Sequence, residues 1–186
     1  MSPILGIYAS QISGHLTPPD TGAYFPLGAV TVGSAGASFI EFTSIPATYT
    51  HLQIRYMTLF SVADWSGKIQ FNSDTGTNYS WHRLLANGSS RSADGASSQN
   101  NGLLTIGAPS STNAPGCGVT DILDYANTDK FKTVRDLAGT DANGNGYIHF
   151  VSALWQNTNA ITSIKITPGG GVYNQYSKFA LYGIRD

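Results

Sequence analysis

The sequence predicts an all-β fold: an antiparallel, jelly-roll-like β-sandwich of residues 26–186, preceded by an extended N-terminal arm of residues 1–25. Three observations predict it. About eleven short segments with strand character are separated by clusters of Gly, Asn, Asp, Ser and Pro. No stretch carries a convincing amphipathic helical period. Residues 50–60 alternate along their length, with Leu52, Ile54, Tyr56, Thr58 and Phe60 on one face and His51, Gln53, Arg55, Met57 and Leu59 on the other.

Taken in order, residues 1–25 lack a sustained period and contain Gly14-His15 and the breaker run Pro18-Pro19-Asp20-Thr21-Gly22, which suits an extended arm. Residues 27–32 and 37–42 read as strands joined through Gly33-Ser34-Ala35-Gly36, a hairpin turn by composition. After the strand at 50–60 come segments 67–72, 78–85, 102–107, 118–125, 130–136, 147–155, 160–167 and 177–184. The intervening stretches 72–76, 87–101 and 108–116 are rich in turn-forming residues and are expected to be loops. Phe179 and Leu181 are expected to close the core from the last strand, so that removing the final ten residues unfolds the domain.

Composition narrows the function. The chain of 186 residues has 10 basic and 11 acidic residues, a formal charge of -1 and only 11% charged residues. Nucleic acid is not expected as a partner, because the basic residues are scattered and form no stripe that could follow a phosphate backbone. No window has the apolar length of a membrane-spanning helix. The start, MSPILGIYAS, has neither the basic region nor the long apolar run of a signal peptide, so synthesis in a cytosol is expected. Cys117, the single cysteine, offers no intrachain disulfide and is expected as a small buried apolar residue between two glycines.

Few residues suggest chemistry. Asp141-Ala-Asn-Gly-Asn-Gly146 follows the opening of an EF-hand calcium loop, with Asp141, Asn143 and Asn145 as the candidate ligands. Position twelve of that loop is Ser152, which cannot supply the closing bidentate carboxylate, and strands rather than helices are expected on both sides. The favoured reading is a hairpin turn, and no metal or other cofactor is expected. His15, His51, His82 and His149 lack metal-ligand spacing, and alternation places His149 on the opposite sheet face from Ile148 and Phe150. Asp121, Asp124, Asp136 and Asp141 are the carboxylates that an acid–base pair would need, but no catalytic motif frames them, so an enzyme is not expected. Trp65, beside a turn, is the candidate platform for a sugar ring.

Three segments carry a resemblance: Phe42-Thr-Ser-Ile-Pro-Ala-Thr-Tyr-Thr-His-Leu-Gln-Ile-Arg55, Asn78-Tyr-Ser-Trp-His-Arg83 and Ser177-Lys-Phe-Ala-Leu-Tyr-Gly-Ile184. Together with Asp124-Tyr-Ala-Asn-Thr-Asp-Lys130 and Asp141-Ala-Asn-Gly144, they resemble a group of small structural proteins of tailed bacteriophages, described as virion, tail-fibre or head-decoration components. The resemblance covers roughly residues 27–184 and implies a non-enzymatic β-sandwich at the virion surface, assembled in the bacterial host cytoplasm. It supplies no catalytic residues.

The functional expectation is therefore a virion structural component decorating the head or tail, with a capsid or tail protein of the same particle as partner. Ile4, Leu5, Ile7, Tyr8 and Ile12 are the candidate docking residues of the arm. A homo-oligomer is expected, with a trimer favoured, and Met57 and Leu59 are the candidate interface residues. The alternative is a carbohydrate-binding module, with a host-surface glycan held by Trp65 and the polar loops at 72–78 and 87–101.

Overall fold

A computed structural model describes residues 23–62, 64–105, 114–144 and 146–185. Among them there is no helix, and all strand pairs run antiparallel in two sheets, the β-sandwich that the sequence predicts. The strands are β1 Tyr24–Thr31, β2 Ile40–Phe42, β3 His51–Thr58, β4 Gly67–Phe71, β5 Tyr79–Ala86, β6 Arg91–Gln99, β7 Gly102–Leu104, β8 Gly116–Leu123, β9 Lys132–Asp141, β10 Gly146–Trp155, β11 Ile164–Pro168 and β12 Lys178–Ile184. One sheet has eight strands in the order β1-β12-β3-β8-β9-β10-β5-β6, and the other has four in the order β2-β11-β4-β7.

The alternation of β3 is realised as expected. Leu52, Ile54, Tyr56, Thr58 and, just past the strand, Phe60 all point into the core, where each is almost wholly buried. Removing a Leu or Ile side chain of this kind from water contributes about 1.5–3 kcal/mol. Phe179 and Leu181 of β12 enter the same core, because β12 lies between β1 and β3. From the smaller sheet come Ile69, Phe71, Leu104, Ile164 and Ile166, and Phe71, Tyr79 and Trp155 form an aromatic cluster at one end.

Three buried or part-buried charged groups are held by specific partners. Asp136, fully buried on β9, accepts hydrogen bonds from Tyr56 Oη at 2.8 Å and Thr120 Oγ1 at 2.7 Å on one oxygen. Its other oxygen accepts from the Thr105 backbone N–H at 3.1 Å and Thr105 Oγ1 at 3.0 Å. Burial pushes this carboxyl up from its ordinary pKa, and the hydrogen bonds from Thr120, Tyr56 and Thr105 pull it only partly back. Gly118 leaves the space for Tyr56, since a Cβ there would lie 2.3 Å from the phenol oxygen. Lys132, also buried, points its ammonium at the carbonyls of Asn127, Lys130 and Thr158 and so ties two loops together. Asp74 receives Trp155 Nε1–H at 2.7 Å and the Gly76 N–H at 2.8 Å, which fixes the β4–β5 turn against the core.

Four expectations are corrected. The segments at 27–32 and 37–42 do not form a hairpin, because β1 pairs with β12 in the large sheet and β2 with β11 in the small one. Gly33–Gly36 still turns the chain, but it turns it from one layer to the other. The stretch 87–101 is not a loop throughout: it holds β6, an edge strand whose polar, small side chains are mostly exposed and so show no alternation to read. Strand β1 starts at Tyr24, so the last residues assigned to the arm belong to the sandwich. Cys117 is exposed, since it faces outward from β8 opposite Met57 and Gly139. Ile4, Leu5, Ile7, Tyr8 and Ile12 lie outside the described residues.

Replacing Asp136 with Ala leaves three hydroxyls and one backbone N–H in the core without their acceptor. Urea unfolding of this variant is expected to show a loss of about 3 kcal/mol or more; a loss below about 1 kcal/mol would show that the buried network contributes little. Deleting residues 177–186 removes β12 from the middle of one half of the large sheet. The shortened chain is expected to give no cooperative melt, and an unchanged melt contradicts this account of the core.

Candidate functional site

The outer face of the eight-stranded sheet is built in rows that the strand registers define. One row runs Lys178, Met57, Cys117, Gly139, Ile148, Ala86 and Arg91. The next runs Ala180, Arg55, Val119, Leu137, Phe150, Leu84 and Ala93. The third is polar, with Gln53, Asp121, Arg135, Ser152 and His82. The first two rows leave large side chains in solvent: Met57 is 41% exposed, Val119 36%, Leu137 56%, Phe150 45%, Leu84 59% and Ile148 65%. Scattered apolar side chains on a surface need no explanation, but these six occupy adjacent positions on five neighbouring strands. A trough of about 470 Å³ on this face is lined by Leu84, Ala86, Ala93, Ile148 and Phe150.

Polar residues border that patch. Arg55 lies over the rings of Tyr24 and Tyr182 at 4.9 and 5.2 Å and donates from Nε to Gln53 Oε1 at 2.8 Å. Gln53 in turn donates to Asp121 Oδ1 at 2.8 Å. Lys178, Arg135 and Arg91 are exposed around the same face. An apolar centre with a polar border is the anatomy of a protein interface.

Strand β10 shows why the patch escapes a simple reading of hydrophobicity. Ile148 and Phe150 point outward, and His149 between them is buried. The expected alternation holds, but the apolar residues take the solvent face and the imidazole takes the core. Neither ring nitrogen of His149 has a hydrogen-bond partner. Burial, and next the Arg83 guanidinium, push its pKa down to about 4, with Asp94 opposing weakly. Sequence alone singled out none of Val119, Leu137, Leu84, Ile148 or Phe150 as functional; the missing signal was pairing register, which spreads one patch over five separate strands.

The predicted site residues fall in different places. Met57 lies in the patch, whereas Leu59 follows the end of β3, half-buried, and its backbone N–H binds Ser177 Oγ at 2.9 Å. Trp65 is half-buried, with its ring centroid 4.2 Å from that of Tyr147, which is itself 5.7 Å from His149. Asp141 ends β9 and pairs with Gly146 at the start of β10, so the stretch between them is a hairpin loop flanked by strands. Asn143 and Gly144 take positive φ there, of 60° and 91°, and Asp141 Oδ1 accepts the Gly144 N–H at 3.1 Å. Asn145 lies outside the described residues. Asp121 and Asp136 occupy opposite faces of the large sheet, one on the polar outer row and the other in the core. Asp124 forms an ion pair with Lys130 and lies 3.4 Å from His51 Nδ1. These carboxylates do not converge on a common groove.

No family model and no curated protein matches the chain. Among solved structures, the galectin LEC-6 of Caenorhabditis elegans is 12% identical, with 82% of this chain and 94% of the galectin covered, at a TM-score of 0.35. A protein of unknown function from Shewanella oneidensis MR-1, SO2946, is 14% identical, with 99% and 95% covered, at a TM-score of 0.21. At such scores neither likeness bears on function.

The buried His149 makes stability depend on pH in a defined direction. Its folded pKa of about 4 lies below the ordinary value of 6.5, so the unfolded chain takes up the proton first. This contribution is present above pH 6.5 and is lost as pH falls towards 4, up to about 3 kcal/mol in all. Urea midpoints at pH 7 and pH 4.5 should therefore differ less in His149→Leu than in the unsubstituted chain; equal pH dependence of the two assigns the acid loss elsewhere.

Proposed function

We propose that this chain is a non-enzymatic structural component of a phage virion, which works as a homo-oligomer, with a trimer favoured, at the surface of the head or tail. It joins its neighbours through the outer face of the eight-stranded sheet. The observation that carries the proposal is the apolar patch of Met57, Val119, Leu137, Ile148, Phe150 and Leu84, held on paired strands rather than on loops. Covering it on assembly removes apolar area from water, with a gain of about 25 cal/mol per Å² that association costs then reduce.

Two further features support a structural role. Three ionisable groups hold the fold: Asp136 and Lys132 are fully buried and hydrogen-bonded, and Asp74 accepts from Trp155, Asn78 and Gly76. The resemblance of segments 42–55, 78–83 and 177–184 to phage structural proteins points to the same class.

Light scattering on the full-length chain tests the interface. A discrete multimer is expected, and Phe150→Asp, whose side chain is already exposed, should dissociate it while leaving the melting temperature within a few degrees. An unchanged mass for Phe150→Asp sinks the proposed interface. The virion location is tested by sedimenting particles from a lysate of the phage that encodes the chain; its absence from washed particles counts against that location. Glycan binding by the full-length chain that Trp65→Ala abolishes would move the assignment to a carbohydrate-binding module.

A further inference from the structure

We infer that the outer apolar patch of one copy is the seat for residues 3–12 of a neighbouring copy, so that the oligomer is held by arms exchanged head to tail. The inference rests on the assembly reading above and names what occupies the patch.

Charge argues against the simplest alternative, in which two patches pack face to face. Arg55, Arg91, Arg135 and Lys178 all lie on or around this face, against two carboxylates, Asp121 and Asp141, and Asp121 is already engaged by Gln53. Four cations less two carboxylates leave the face a net charge of +2, and face-to-face packing would set it against its own copy. An occupant without positive charge meets no such opposition. Residues 1–19 contain no Lys, Arg, Asp or Glu, and residues 4–12 contain Ile4, Leu5, Ile7, Tyr8 and Ile12. That segment offers apolar side chains to an apolar seat and adds no cation to a basic border.

Direction argues for a neighbour's patch rather than the chain's own. β1 begins with Tyr24 opposite Ile184, which pairs with His51 at the far end of β3. It ends with Thr31 opposite Lys178, which is in the same row as Met57, Cys117 and Ile148. The chain therefore enters the sheet at the end away from the apolar rows and runs towards them, so a segment preceding Tyr24 would have to double back along the sheet to reach its own patch. The reach is sufficient. The patch spans four strand spacings, about 19 Å, and ten extended residues cover about 33 Å. Residues 13–22, with Pro18-Pro19, remain as a connector of about 33 Å between the sandwich and the seated segment. A head-to-tail contact of this kind closes into a ring when the rotation per copy allows, as a trimer requires.

Complementation in the full-length chain tests the idea. One variant carries Ile4→Asp and Ile7→Asp and so has a defective arm with an intact patch; the other carries Leu137→Asp and Phe150→Asp and has the reverse. Each alone is expected to be monomeric by light scattering, with circular dichroism like that of the unsubstituted chain. Mixed in equal amounts they should form a one-to-one dimer, because one good arm meets one good patch. If the arm variant keeps the mass of the unsubstituted oligomer while the patch variant is monomeric, the patch is an interface without the arm; the inference then fails and the assembly reading stands. If the unsubstituted chain is itself a monomer, or the mixture stays monomeric, arm exchange is excluded. If a variant loses its circular dichroism signal, the same test is run with Ile4→Ser and Ile7→Ser, or with Leu137→Ser and Phe150→Ser, and is judged by the same outcomes.

Discussion

The buried carboxyl of Asp136 fixes which way the centre of the large sheet faces. Its partners come from β3 through Tyr56, from β8 through Thr120 and from the end of β7 in the opposite sheet through Thr105. A group so placed cannot be turned to solvent without abandoning all of them. In a strand, fixing one residue inward fixes its neighbours outward, because a slip of one position exchanges the two faces. With Asp136 inward, Arg135 and Leu137 must point out. With Thr120 inward, Val119 and Asp121 must do so, and with Tyr56 inward, Arg55 and Met57 follow. The exposed patch is therefore a consequence of the polar core, and hydrophobicity alone would have placed Leu137 and Val119 inside.

β10 shows the same constraint from the other side. Its register against β9 sets Val151 beside Asp136 and His149 beside Ala138, both on the core face. Ile148 and Phe150 have no alternative to the outer face. An imidazole without a hydrogen-bond partner in the core, next to two apolar side chains in solvent, costs stability twice. Local departures from the rule that apolar residues go inside, where the fold has no need of them, are expected where a surface has work to do.

Much of this was legible in the sequence. Residues 50–60 announced both the strand and its buried face through strict alternation, and Asp141 to Gly146 announced a hairpin through residues that accept positive φ. The less legible parts have physical reasons. β6, with Arg91, Ser92, Ala93, Asp94 and Gly95, is an edge strand exposed on both faces, so burial imprints no period on it. Gly33–Gly36 has turn chemistry, but composition cannot tell a turn within a sheet from a turn between sheets. Cys117 lies between two glycines that hide its parity, and only its pairing with Met57 shows that it faces out. Of the patch, Met57 alone was legible, because that residue shares a long alternating strand. Val119, Leu137, Phe150 and Leu84 become neighbours only through pairing between strands far apart in the chain.

A sandwich with a single, exposed cysteine has to be held by packing and by its polar anchors, and the placement of those anchors bears on what the outer face can do. Lys132 gathers the loops at one end of β9 by three backbone carbonyls, and Asp74 locks the β4–β5 turn to Trp155. Asp136 lies between the sheets themselves. All three work on the core side or at the strand ends, so none depends on what covers the outer face. The patch can therefore be left bare in a free subunit and covered in an assembled one without refolding of the strands beneath it. A preformed surface of this kind loses little conformational entropy when it is covered, and most of the ordering cost falls on the segment that comes to lie on it.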